Sequence, residues 1–108
     1  MNDAETTIQE LRAAAHQFSD DRDWHPFHTP KNVAASIVIE AAELLEHFQW
    51  SDEPAPGQLS QVVEELADVV LYCLTMANAL DIDLSQAVRQ KLARNEAKYP
   101  VEKYRGRY

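Results

Sequence analysis

Residues 58–80 read QLSQVVEELADVVLYCLTMANAL, and this stretch decides the fold. It contains neither glycine nor proline, and its apolar residues recur every three or four positions, which is the spacing of one face of an α-helix. Glu65 and Asp68 are three residues apart, so a helix places both carboxylates on one face. Glu64 projects about 100° away from Glu65. The stretch therefore predicts a long apolar helix that carries Glu65 and Asp68 on its flank.

The stretch VIEAAELLEHFQW, residues 38–50, repeats this arrangement. Glu40 and Glu43 flank the apolar stripe of a second helix, and His47 lies between them in projection. Four carboxylates gathered beside a hydrophobic core would repel one another and lose hydration, and a hard divalent cation with oxygen ligands compensates best. The sequence therefore predicts Mg²⁺ ligands at Glu40, Glu43, Glu65 and Asp68.

The periodicity of the whole chain predicts an all-α fold, built like a four-helix bundle. The first helix would run from about Asp3 to Asp20. The second would run from Pro30, capped by Thr29, to about Phe48. Besides the helix of residues 58–80, a fourth would be capped by Asp83 and end near Lys98. The predicted buried stripes are Ile8, Leu11, Ala15 and Phe18 on the first helix, Val33, Ile37, Ala41, Leu44 and Phe48 on the second, and Val62, Leu66, Val69, Cys73, Ala77 and Leu80 on the third.

The chain has 108 residues and a net charge of −8, which is unevenly distributed. Acids dominate residues 1–88 and bases dominate residues 89–108. We expect one domain at 1–100 and an extended basic tail at 101–108, after Pro100. The acidic majority argues against nucleic acid as a partner, although the tail leaves that alternative open. No apolar run approaches the ~20 residues that span a membrane, and the polar N-terminus is unlike a signal peptide, so we expect a cytoplasmic protein.

Other kinds of site find less support in the sequence. Di-iron bundles use Glu-x-x-His ligation, and no such motif occurs. Zinc is disfavoured because Cys73 is a single cysteine and the histidines show no ligand spacing. A Gly-rich phosphate loop is also missing from the sequence. The histidines in question are His16, His25, His28 and His47.

Several motifs together resemble one known family. They are RDW at 22–24, FH at 27–28, PKN at 30–32, ExxE at 40–43, FQW at 48–50, ExxD at 65–68 and YP at 99–100. In this order they resemble the MazG-like, all-α nucleotide pyrophosphohydrolases, and most of all their dCTP pyrophosphatase branch. The likeness extends from about residue 8 to residue 100. One ExxE motif alone would be weak, but the combination is specific.

The resemblance implies hydrolysis of (deoxy)nucleoside triphosphates to a monophosphate and pyrophosphate, as in the removal of unwanted nucleotides. It implies Mg²⁺ at the four acids. A carboxylate beside a metal-bound water can accept its proton, and of the four we expect Glu43 or Glu40 to be this catalytic base. It also implies an aromatic pocket for the base and polar groups of the last helix near the phosphates. Relatives directed at dCTP have a histidine where alignment on Phe18 places Ala15, so the base preference stays open. The implied substrate-binding residues are Trp24, Trp50, Tyr72, Lys91, Asn95 and Lys98.

The apolar surface predicts a homo-oligomer. The region 69–79 is apolar almost all round, which is more than one small bundle buries. The resemblance implies a tetramer built as a dimer of dimers. The alternative is a helical oligomerisation or interaction module without enzymatic activity, in which the acids are surface residues. The sequence leaves open whether the oligomer is a dimer or a tetramer, how many Mg²⁺ ions bind, and what the tail does.

Overall fold

The computed structural model describes residues 2–107, which form α-helices, one 3-10 turn and no β-strand. The all-α prediction is confirmed. Met1 of the predicted domain and Tyr108 of the predicted tail lie outside the described residues. The helices are α1 Ile8–Asp21, α2 Pro30–Glu46, α3 Leu59–Leu80, α4 Leu84–Lys98 and α5 Val101–Tyr104, and the 3-10 turn is His25–Phe27.

The beginning of α1 differs from the prediction, which placed it at Asp3. Thr7 is the N-cap, and its hydroxyl accepts the backbone N–H of Glu10 at 3.1 Å. Thr7 and Glu10 have the spacing of a capping box, a stronger start signal than the acids before it. The preceding residues instead form a turn, in which the Asn2 side chain accepts the N–H of Ala4 at 3.0 Å.

The other helix ends follow local signals. The hydroxyl of Thr29 accepts the N–H of Asn32 at 3.2 Å, and Pro30 is the first residue of α2, as predicted. The carboxylate of Asp83 accepts the N–H of Gln86 at 3.0 Å at the start of α4, also as predicted. Helix α2 ends at Glu46, two residues before the predicted end, and the residues that follow it form a turn.

Arg12 joins α1 to the end of α3. Its guanidinium donates to the Asn78 side chain at 3.1 Å and to the backbone carbonyls of Ala77 and Ile82. The Asn78 amide donates in return to the carbonyl of Arg12 at 3.0 Å. The Ala77 carbonyl also accepts the N–H of Ile82, so the guanidinium is a second donor to it, and a cation at this position interacts favourably with the helix dipole. Asp81, in the left-handed region at φ 52°, then turns the chain towards α4.

The core lies along α3, which packs most extensively against α2 and also against α1. Leu74 and Val33 are each 1% exposed, and Ala15 and Ala77 are buried beside them. The predicted stripes are only partly right, because six of their members are exposed: Ile8, Leu11 and Phe18 of α1, Ala41 of α2, and Leu66 and Leu80 of α3. Helices α1 and α2 both pack against α3, and other apolar residues of α3, such as Val63, Val70 and Leu71, are exposed.

The C-terminal segment corrects a second expectation. Residues 101–108 were predicted to be extended, but Val101–Tyr104 form α5, and Pro100 is its N-cap. Proline stops α4, yet its carbonyl accepts the N–H of Tyr104 at 3.1 Å and so begins a new turn. The rings of Tyr99 and Tyr104 meet edge to face at 5.1 Å. In residues 2–107, no helix is both long and apolar enough to cross a bilayer.

Candidate functional site

The ExxE pair of α2 and the ExxD pair of α3 lie on the two helices with the most extensive contact in the chain. Glu40, Glu65 and Asp68 are half-buried, and Glu43 is exposed. Burial raises the pKa of Glu40 above its usual 4.5. A hydrogen bond with Glu43 raises this pKa further, and so do the negative charges of Glu43, Asp68 and Glu65. The four carboxyl groups therefore share one electrostatic environment.

Two carboxylate oxygens at this place lack compensation. Glu40 Oε2 and Glu65 Oε2 are shielded from solvent, and neither has a hydrogen-bond donor. A buried carboxylate oxygen without a donor is costly, and an ion with a preference for oxygen ligands removes that cost. The donor set of four carboxylates fits a hard divalent cation. The adjacent Glu64 is exposed while Glu65 is half-buried, in agreement with the helical projection.

His47, absent from the predicted site residues, contacts this acidic group. Its side chain is 13% exposed, and its Nε2 lies 3.3 Å from Glu65 Oε2, a contact that becomes an ion pair when the imidazole is protonated. Its Nδ1 lies 3.1 Å from Gln58 Oε1, which can only accept, so Nδ1 is the donor. The sequence did contain a signal, because His47 projects between Glu40 and Glu43 on the helical wheel.

The predicted aromatic residues occupy different surroundings. The Trp24 ring, 43% exposed, meets Phe18 at 5.7 Å and His28 at 6.3 Å, both edge to face. Trp50 follows α2 and is 90% exposed. Tyr72 is half-buried on α3, one turn after Asp68, and so lies on the side of the helix that carries the acids. None of the ring contacts described for residues 2–107 joins the two indoles.

The predicted phosphate-binding residues lie on α4. Asn95 is half-buried, whereas Lys91 and Lys98 are exposed. The ammonium of Lys98 lies 5.4 Å from the ring centroid of its neighbour Tyr99. Within the part of the chain that the structure describes, no recorded ion pair links either lysine to the carboxylates. The acidic and basic halves of the predicted site are thus not joined by direct contacts in one chain.

A cavity of about 260 Å³ lies between α1, the 3-10 turn, the start of α2 and the second half of α3. The predicted ligands are not among its lining residues, but His28 is, and its Nδ1 is buried without a hydrogen-bond partner. The lining residues are Ala15, His16, Ser19, His25, His28, Pro30, Thr75, Asn78 and Ala79.

One group of possible metal ligands at the edge of this cavity was not indicated by the spacing of the histidines in the sequence. Ligand atoms of His16, Asp20 and His25 all lie within 4.8 Å of one another. No spacing rule found this group, because a turn brings His25 back beside α1. Among residues 2–107, this is the only group of at least three such side chains whose ligand atoms lie this close together. The four carboxylates are therefore more widely spaced than this group.

Comparison with known proteins identifies the family. The model of the MazG-like family matches residues 35–107, a range that includes both acidic pairs and α4. This chain belongs to the MazG-like family. The MazG-like match includes the segment of α5 as well, and α1 and Trp24 precede it.

Individual relatives extend the similarity to most of the MazG-like chain. Mouse dCTP pyrophosphatase 1 is 37% identical over 94% of the chain, and the human protein of that name is 35% identical over 90%. The chain spans only 64% and 61% of the lengths of these two proteins. The crystal structure of a pyrophosphatase from Archaeoglobus fulgidus has a TM-score of 0.77 and 38% identity, and the match covers 93% of this chain and 98% of that one.

Proposed function

We propose that this chain hydrolyses (deoxy)nucleoside triphosphates between the α and β phosphates and releases a nucleoside monophosphate and pyrophosphate. The observation that carries the proposal is the group of carboxylates on α2 and α3, in which Glu40 Oε2 and Glu65 Oε2 are buried without a donor. The proteins named dCTP pyrophosphatase 1 and pyrophosphatase among its relatives support the same reaction class. A deoxycytidine-type or modified deoxynucleotide is the substrate class we propose.

The proposed cofactor is Mg²⁺, held by Glu40, Glu43, Glu65 and Asp68. When bound, Mg²⁺ would neutralise phosphate charge and orient the triphosphate. The fit rests on the donor chemistry, because these side chains supply only oxygen atoms, which Mg²⁺ prefers to nitrogen and sulfur. The half-buried ligands lie on two packed helices, so no loop has to become ordered before they can hold the metal.

Hydrolysis adds the oxygen of water to phosphorus, breaks the phosphoanhydride P–O bond and releases one proton overall. Glu40 is our proposed acceptor for that proton, because a half-buried carboxylate held beside the attacking water can take its proton. Glu43, hydrogen-bonded to Glu40 and exposed, can pass the proton to solvent. His47 Nε2, 3.3 Å from Glu65 Oε2, would donate to this oxygen only when the imidazole is protonated.

The remaining predicted residues are proposed to bind the substrate. The exposed indole of Trp50 and the partly exposed indole of Trp24 present faces on which a base can stack. Tyr72 lies one turn from Asp68, close enough in the helix to border the same cleft. The cations of α4, Lys91 and Lys98, with Asn95 between them, would bind phosphate oxygens.

An oligomer is part of this proposal, because α4 leaves its apolar side chains uncovered in the single chain. A tetramer built as a dimer of dimers would cover them and would let the α4 of one copy complete the cleft of another. Neither a cytoplasmic location nor the lack of a nucleic-acid partner has been tested, and both stay predictions.

The decisive experiment measures pyrophosphate release with each deoxynucleoside triphosphate and Mg²⁺, for wild type and for two neighbouring glutamates. We expect Glu65→Gln to abolish release and Glu64→Gln, which removes an exposed charge one residue away, to leave it intact. No release from any nucleotide, or equal loss in the two variants, would contradict the proposal. The first of these outcomes would favour an interaction module without enzymatic activity.

A further inference from the structure

A second group of ligands lies away from the four carboxylates, on α1 and the 3-10 turn. His16 and Asp20 are one helical turn apart on α1, so both point to the same side. Asp23, at φ 51°, reverses the chain after α1, and the N–H of Trp24 bonds to the carbonyl of Ser19 at 3.0 Å. This reversal brings His25 beside the other two side chains.

The contacts within the group are close. The imidazoles of His16 and His25 are stacked with centroids 4.6 Å apart and planes 28° apart. His25 Nε2 lies 3.4 Å from Asp20 Oδ1. One ring nitrogen of each histidine and one oxygen of Asp20 all lie within 4.8 Å of one another. Tetrahedral zinc, with bonds near 2.1 Å, needs ligand atoms about 3.4 Å apart, so metal binding would draw these side chains closer together.

The donor types select a different metal from the one proposed for the carboxylates. Two imidazoles and one carboxylate suit borderline transition-metal ions, whereas Mg²⁺ prefers oxygen ligands and retains its water. All three side chains are exposed, so a metal ion can enter and can keep water or another ligand in its remaining position. The 260 Å³ cavity begins at this group, with the unpartnered Nδ1 of His28 in its wall.

We propose that His16, Asp20 and His25 form a binding site for a divalent transition-metal ion of the zinc type, separate from the four-carboxylate site. The ion would link α1 to the turn that follows it. Because Trp24 directly precedes His25, the ion would also restrain the turn that carries this indole. The site does not depend on the proposed hydrolytic activity.

The test is calorimetric titration of the full chain with ZnCl₂ while excess MgCl₂ occupies the carboxylates. We expect one Zn²⁺ per chain, and at least about tenfold weaker affinity in each of His16→Gln, Asp20→Asn and His25→Gln, since loss of even a supporting group of a metal site weakens binding by that factor. Asp21→Asn is the matched control, because Asp21 has the same charge one residue along and instead accepts a hydrogen bond from Gln17 at 2.7 Å.

Three outcomes would overturn the proposal. One is that the wild type binds no Zn²⁺ in the presence of Mg²⁺. Another is that Asp21→Asn weakens binding as much as Asp20→Asn, which would make the effect one of net charge. The third is that the histidine variants bind normally and Glu40→Gln does not, which would place Zn²⁺ at the carboxylates.

A fluorescence readout separates the proposed site from a structural effect of the substitutions. In a Trp50→Phe background, Trp24 is the remaining tryptophan. We expect ZnCl₂ to change its emission, and this change to be lost in His25→Gln and kept in Asp21→Asn. Unchanged unfolding temperatures without Zn²⁺ would show that the variants fold, as their exposed positions lead us to expect. A change in emission that persists in His25→Gln would contradict the assignment.

Discussion

The α2–α3 pair and α4 differ in how much of their apolar surface this chain covers. In the pair, Val33 and Leu74 are almost completely buried, and the carboxylates flank this packed seam. Helix α4 has no buried residue, and Leu92 is 61% exposed. The acidic half of the proposed site is therefore fixed by contacts within the chain. The basic half lies on a helix whose position depends on whatever covers it.

The largest expected effect compares the two halves directly in catalysis. Asp68→Asn should lower the rate of pyrophosphate release at saturating nucleotide by about 10³-fold, because a carboxylate is lost from the fixed half. Lys98→Met should act mainly on KM, by about tenfold, since it removes an exposed cation that we propose to bind the substrate and not the metal. Steady-state kinetics of both variants would check this. An equally large loss of kcat in Lys98→Met would show that α4 is as firmly placed as the seam.

The next effect compares the two helices in stability. Leu74→Ala should lower the free energy of unfolding by about 2–5 kcal/mol, because it opens a cavity in the core. Leu92→Ala should cost less than about 0.5 kcal/mol in dilute protein, since its side chain is exposed in the single chain.

Urea unfolding at several protein concentrations would check both values. If a second copy covers α4, the cost of Leu92→Ala should grow with protein concentration, because association stabilises the folded state by mass action. A cost for Leu92→Ala as large as that for Leu74→Ala at every concentration would mean that the chain itself covers α4, which would break the comparison.

A smaller effect tests how α4 is attached to α3. Arg12 donates to Asn78 and to the carbonyl of Ile82, which lies in the connection between the two helices. Arg12→Met should therefore cost about 1.5–3 kcal/mol, the range for hydrogen bonds of charged groups. Arg22→Met is the control, because Arg22 is exposed and its contacts are local: it stacks 3.7 Å over the ring of Phe18 and donates to the Phe18 carbonyl at 3.0 Å, which joins no second helix. Thermal unfolding of the two variants would check this. Equal losses of stability would show that Arg12 contributes no more than Arg22.

Local signals in the sequence predicted the helices and the acidic face well. Thr29 and Asp83 cap helices because the cap depends on a few neighbouring residues. The distinction between exposed Glu64 and half-buried Glu65 follows from helical geometry alone. The position of α5 after Pro100 was missed because proline ends one helix and begins the next with the same restriction on φ.

Features that depend on residues distant in the sequence but close in space were not predictable. The helical wheel favoured Leu66 and Leu80 as core residues, but burial of Leu74 depends on the direction from which α1 and α2 approach. The meeting of His16 and His25 depends on one residue in the left-handed region after α1, which no ligand spacing records. Residues of α4 were assigned to the phosphates by resemblance, and their distance from the acids depends on the proposed assembly.

The smallest expected effect is a dependence of stability on pH, which tests whether repulsion between carboxylates is confined to the acidic half of the proposed site. The folded state raises the pKa of Glu40, so it binds that proton at a higher pH than the unfolded state does. Without metal, this group's contribution to stability should therefore become less unfavourable as pH falls from neutral towards the usual 4.5 of a glutamate, and Glu40→Gln should lack this change. Glu40→Gln should thus melt above wild type at neutral pH, and the gap should narrow in acid. The exposed Glu96 of α4 provides the control, because Glu96→Gln removes one negative charge from another helix, and the same dependence on pH in that variant would make the effect one of net charge. If the difference in melting temperature between Glu40→Gln and wild type did not vary with pH, the carboxylates would not interact in the folded chain. The four carboxylates would then not form one electrostatic group.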